Sequence, residues 1–107
     1  MDKAGLAPMS GANEVIHQSM RLRIMAALNT LPGEDALEFT RLKTLVGATD
    51  GNLGAHLETL DRAGYIAVEK LFVGRKPQTR VKATPQGRRA FAEHVAYLRE
   101  ILDSGGG

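Results

Sequence analysis

From Asn13 onward the apolar residues fall at helical spacing. Ile16, Met20, Ile24, Leu28 and Leu31 lie three or four positions apart, the period of one helix face. Asn13 suits the N-cap of that helix, which is expected to reach about Asn29, with a break near His17–Ser19, and to stop at Pro32-Gly33. Leu37-Glu38-Phe39 alternates and reads as a small edge strand. Thr40 would cap a short helix, Arg41–Val46, with Leu42, Leu45 and Val46 facing inward and Gly47 closing it. Thr49 caps another helix to about Ala63, its Leu53, Leu57 and Leu60 on one face and Gly64 at its end.

Beyond Gly64 the period drops to two. Tyr65–Phe72 sets Ile66, Val68 and Lys70 on one side and Ala67, Glu69 and Leu71 on the other; Thr79–Ala83 is its return strand, with a turn over Val73–Gln78. Thr84-Pro85 opens a last helix, Thr as N-cap and Pro at the first position, which carries Phe91, Val95, Leu98 and Leu102 to about Asp103. This order predicts an α+β fold, predominantly helical, with a three-helix core and a β-hairpin. Residues 1–12 are expected to form a flexible leader, 13–103 a single domain and 104–107 a flexible tail.

Composition narrows the choice of partner. A chain of 107 residues has room for one core. The absence of Cys removes disulfides, thiolate metal sites and cysteine nucleophiles. No apolar run approaches the roughly 18 residues of a membrane span, and residues 1–11 lack the order of a signal peptide, so a cytoplasmic protein without a membrane partner is expected. The net charge of +2 says little. Its distribution says more: seven of the fourteen Lys and Arg residues (Lys70, Arg75, Lys76, Arg80, Lys82, Arg88 and Arg89) fall in a stretch without Asp or Glu. Such a cluster suits a polyanion.

The two short helices joined at Val46-Gly47-Ala48 form a helix-turn-helix candidate. With its leucines buried, the second helix leaves Asp50, Gly51, Asn52, Ala55, His56 and Thr59 on outward faces. Asn can bridge an adenine edge, and His or Thr can donate to bases or phosphates. Gly51 and Gly54 each cost a helix roughly 1 kcal/mol relative to Ala, but would let its backbone lie close to another surface. Arg75 and Lys76 at the hairpin tip, with Thr79 and Arg80 on the return strand, would hold phosphates or enter a minor groove. A plain helical hairpin and a solubilising turn would share these patterns.

The motifs Arg21-Leu22-Arg23-Ile24, Phe39-Thr40-Arg41-Leu42, Thr49-Asp50-Gly51-Asn52-Leu53, His56-Leu57, Leu60, Ala63-Gly64-Tyr65-Ile66, Gly74-Arg75-Lys76-Pro77-Gln78-Thr79 and Thr84-Pro85-Gln86-Gly87-Arg88 follow one another in this order. Together they make the chain resemble, from Val15 to Leu98, the small winged-helix transcriptional regulators related to the MarR and ArsR groups. The resemblance implies a winged helix-turn-helix domain, a homodimer joined by its C-terminal helix, and binding of double-stranded DNA. By position, Thr49, Asp50, Gly51, Asn52, Ala55 and His56 would lie at or near the major groove, and Arg75, Lys76, Thr79 and Arg80 would belong to the wing. Relatives often have Ser and a basic or hydroxyl residue where this chain has Gly54-Ala55, which shifts weight to Asn52, His56 and the wing.

Phe91, Val95, Leu98 and Leu102 form a seam spaced four, three, four, as in a coiled coil or in a helix packed on its own core. With Val15, Ile16 and Met20 of the N-terminal helix they are the expected dimer interface. Such a dimer would set two recognition helices about one DNA turn, roughly 34 Å, apart. His17, His56 and His94 are far apart in sequence and have no carboxylate spacing to suggest a metal; no cofactor is expected. A small-molecule effector between dimer helices is a further expectation from the resemblance, although no residue marks its site. Catalysis is not expected, since no glycine-rich phosphate loop or nucleophile motif is present. The rival reading is a winged-helix protein–protein interaction module, which would have no need of a basic wing.

Overall fold

The computed structural model describes residues 13–33 and 35–106; the expected leader lies outside them. The first helix is divided where its sequence allows. Asn13 Oδ1 accepts from the Ile16 N–H at 3.0 Å and opens α1 (Glu14–His17). Gln18, extended at φ −64° and ψ 134°, ends α1 and caps the next segment, its Oε1 accepting from the Arg21 N–H at 2.9 Å. α2 (Ser19–Asn29) then buries Ile24, Met25 and Leu28.

β1 (Leu37–Glu38) passes directly into α3 (Phe39–Val46). The expected cap at Thr40 is therefore wrong: the N-cap is Glu38, whose side chain makes no capping bond, and Thr40 already lies in the first turn. Glu38 is held extended by its pairing with Arg80, so α3 begins where the sheet releases the chain and not where a hydroxyl is available. Leu45 does not face inward either. It is 50% exposed, because a helix of eight residues turns only Leu42 and Val46 fully to the core. Gly47 closes α3 at φ +71°, a left-handed conformation that glycine adopts without strain. Thr49 Oγ1 accepts from the Asn52 N–H and opens α4 (Asp50–Arg62), whose Leu53, Leu57 and Leu60 are buried.

β2 (Ile66–Val73) and β3 (Lys76–Ala83) form an antiparallel hairpin, and β1 adds to the far side of β3, giving the order β1-β3-β2. The return strand begins three residues earlier than the expected Thr79, and the turn shrinks to Gly74-Arg75. Only the first of these two has positive φ, +65°, the arrangement in which type II′ turns use glycine. Pro77 fits inside the strand. In such a hairpin the pair flanking the turn, Val73–Lys76, is the hydrogen-bonded one, so Phe72–Pro77 is a non-hydrogen-bonded pair. The imide nitrogen then faces an edge that β1, paired only at Arg80 and Val81, does not reach.

Thr84 joins the hairpin to α5 (Pro85–Gly106). Its hydroxyl accepts from the Gly87 N–H at 2.9 Å and donates to the Gly64 carbonyl at 2.6 Å, tying the start of α5 to the end of α4. α5 passes beyond the expected end at Asp103 and into the expected tail, because an apolar stripe ends at its last apolar residue but backbone hydrogen bonding need not. Ile16 joins α2, α3, α4, Ile66, Val81 and Ala83 in one core. Among the described residues no helix is long and apolar enough to cross a membrane.

Candidate nucleic-acid interface

The turn between α3 and α4 is held at both ends. Gly47 and Ala48 donate backbone N–H groups to Lys43 O at 3.0 and 3.1 Å, and Lys43 Nζ reaches Asp50 Oδ1 at 2.6 Å. Thr49 and Asp50 thus have local work, one as N-cap and one as the carboxylate that meets both Lys43 and the positive end of α4. Gly51, Asn52, Gly54 and Ala55 are exposed. A methyl built at Gly51 or Gly54 would meet nothing within 4 Å among the described residues, so no packing there demands either glycine. They leave a strip of bare helix backbone with the Asn52 amide beside it.

His56 is half-buried, and its Nδ1 lies 3.1 Å from Arg21 Nη1. A guanidinium can only donate, so Nδ1 is the acceptor and the ring proton sits on Nε2. The same guanidinium donates through Nε to the Val15 carbonyl at 2.5 Å, so α1, α2 and α4 meet on one side chain. Arg21 and Lys43 are contacts of this surface that the sequence pattern did not single out: one holds His56, the other Asp50. Arg21 stands 35 residues from His56, and nothing local marks the pair.

The hairpin changes the reading of the basic cluster. The stretch without acids in sequence is not without acids in space: Arg80 stands in register between Glu69 on β2 and Glu38 on β1. Its Nε donates to Gln78 Oε1 at 2.8 Å, and Gln78 in turn donates to Glu38 Oε2 at 3.3 Å. Arg88 Nη2 donates to the Gly33 carbonyl at 2.9 Å. Thr79 is half-buried opposite Lys70. What is left at the tip is Lys70, Arg75 and Lys76, all exposed and in no ion pair among the described residues. A groove of about 780 Å³ separates wing from helix, with Gly54, Leu57 and Glu58 on one wall and Lys70, Pro77 and Thr79 on the other.

Residues 20–102 match the family model of the winged helix DNA-binding domain. The chain belongs to that family. In winged-helix terms, α2, α3 and α4 are the three-helix core, α4 takes the place of the recognition helix and the β2–β3 hairpin is the wing. An uncharacterized protein of Methanocaldococcus jannaschii is 34% identical over 89 residues, 83% of this chain and 90% of that protein. The structure of a transcriptional regulator homologue from Pyrococcus horikoshii OT3 superimposes with a TM-score of 0.79 at 24% identity, covering 97% of each chain. A MarR-family transcriptional regulator from Silicibacter pomeroyi gives 0.64 at 21% identity, covering 94% of this chain and 61% of that one. These likenesses extend the winged-helix assignment beyond the core to α5.

The residues expected at a dimer interface differ in how much surface they expose. Ile16 is wholly enclosed by its own protomer's core and has no surface to offer a partner. Val15, Met20 and Phe91 are half-buried against that same core. Val95 and Leu98 are half-buried, and the large apolar side chains are most exposed toward the end of α5, where Leu102 is 71% and Ile101 48% exposed. Ile101 extends the stripe that spacing had placed on Leu98 and Leu102.

The histidines are not all apart. His17 and His94 meet edge to face, with His17 Nδ1 3.4 Å from His94 Nε2. His94 is fully buried; its Nδ1 accepts from the Asn13 N–H at 3.2 Å, and Asn13 Nδ2 donates to the Tyr65 hydroxyl at 2.9 Å. The winged helix thus fastens its N-terminal segment to α5 and to the base of the wing through one polar seam.

Proposed function

We propose that this winged-helix protein is a homodimeric, sequence-specific double-stranded DNA-binding transcriptional regulator, and not an enzyme. Its recognition helix, about residues 49–63, lies in the major groove, and its wing, about residues 73–79, lies on phosphates or in the adjacent minor groove. Its proposed place of work is the cytoplasm. The observation that carries this reading is the pairing of two surfaces: an exposed strip of α4 without bulky side chains, Gly51, Asn52, Gly54 and Ala55, and a wing tip whose Arg75 and Lys76 have no carboxylate partner among the described residues. Asn52 offers an amide that can pair with an adenine edge, and His56, with its proton on Nε2, offers a donor to a base acceptor or a phosphate. Dimerisation is assigned to the exposed end of α5, with Val95, Leu98, Ile101 and Leu102 in the seam.

The test is fluorescence anisotropy against a duplex selected from a random library, with random duplex as control, across a salt series. Tight, salt-dependent and selective binding is expected. Arg75→Ala or Lys76→Ala should weaken both duplexes alike and flatten the salt dependence, whereas Asn52→Ala should cost about 1–3 kcal/mol on the selected duplex alone. No binding at low salt would overturn the reading in favour of the protein-interaction module.

A further inference from the structure

The wing tip is apolar as well as basic. Phe72 is 71% exposed and is the only exposed aromatic residue among the described residues; Val73 beside it is 51% exposed. Phe72 stands opposite Pro77, also exposed, in a non-hydrogen-bonded pair, the kind in which side chains on neighbouring strands come closest. Among the described residues no element covers the pair, as the exposure of both side chains shows. Exposed apolar side chains on a strand edge are a liability that soluble hairpins ordinarily avoid.

The surroundings narrow what could cover it. Lys70 lies two residues behind Phe72 on the same face, and Arg75 and Lys76 lie just ahead of it. An occupant must therefore be anionic at its margins and apolar between them. A nucleic-acid duplex answers that description, with phosphates on either side of sugars and base faces. The pair also adjoins the proposed DNA surface, because Pro77 and Lys70 share the groove wall opposite Gly54 of α4.

Dimensions then decide how the pair could enter. Two strands about 4.8 Å apart, with side chains on both faces, are thicker than a B-form minor groove about 6 Å wide. Gly74 at the turn has no side chain and can lead, but Phe72 and Pro77 can follow only if the groove opens. Apolar side chains that part a base step open it and kink the duplex. We infer that Phe72, backed by Pro77, is a wedge that enters the minor groove beside the recognition helix, parts a base step and bends the DNA. This rests on the DNA-binding reading above.

The chain has no Trp, so Phe72→Trp places a single indole at the tip. Saturating it with the selected duplex should quench its emission by about half or more as the ring meets bases. In wild type, energy transfer between dyes on the two duplex ends should report shortening on binding. Phe72→Ala should fold with an unchanged melting curve, keep the salt dependence set by Arg75 and Lys76, and lose the shortening. Wild type should also prefer duplexes with a flexible TA step under the wing to those with a stiff A-tract, and Phe72→Ala should lose that preference. Unchanged indole emission, shortening retained by Phe72→Ala, or an A-tract preference would overturn the wedge while leaving DNA binding intact. Indole emission that responds to anionic vesicles and not to duplex would overturn it in favour of a membrane. Failure of wild type to bind any duplex would overturn wedge and regulator together.

Discussion

Gly51 and Gly54 each weaken α4 by about 1 kcal/mol relative to Ala, and neither is forced by a neighbour, since a methyl at either would meet open space. Gly51→Ala and Gly54→Ala should therefore each raise stability to urea by up to about 1 kcal/mol, and should weaken duplex binding if the bare strip lies against DNA. Stabilised variants that bind as well as wild type would remove that strip from the interface. The outward position of these glycines was legible because Leu53, Leu57 and Leu60 fix which side of α4 is buried. The fate of His56 was not. Its Nδ1 is taken by a guanidinium one helix away, and the carbonyl that holds the other side of Arg21 belongs to α1. Contacts of that kind depend on how elements pack, which local spacing does not encode.

Among the elements, the caps at Asn13, Thr49 and Thr84 could be read from the chain because an N-cap bond spans only three residues. Thr40 misled because a strand pairing more than forty residues away in sequence sets the start of α3. Charge misled for a related reason, since a run without acids on one strand says nothing of the carboxylates beside it. The junction of β2 with α5 makes a sharper test. A methyl at Gly87 would sit 2.0 Å from the Tyr65 carbonyl oxygen, and backbone stands on both sides of that contact. Gly87→Ala should cost about 3 kcal/mol, the upper range for overpacking, measured by urea denaturation. A loss below about 0.5 kcal/mol, ordinary for a surface site, would show that α5 is not seated against Tyr65.

For the molecule as a whole, the expectation of one domain rested on length; in the structure the apolar faces of helices and hairpin meet in one core. The proposed association is assigned to the end of α5. Ile101→Glu with Leu102→Glu changes residues that are already exposed, so circular dichroism should stay unchanged while the mass by light scattering at micromolar concentration falls from dimer to monomer. A wild-type protein that is monomeric at that concentration would overturn the dimer. α5 is mounted directly on the root of the wing. Only Thr84 separates it from the wing strand, and Gly87 presses its root on the residue that leads out of α4. From Gly87 to Leu102 the helix is an arm of about 22 Å at 1.5 Å per residue, so a shift of about 2 Å at its far end is a turn of only about 5° at the pivot. Were α5 to swing as a rigid arm, the winged helix would be geared down: an excursion at the end assigned to the second copy would become a small rotation where the wing and α4 share a root.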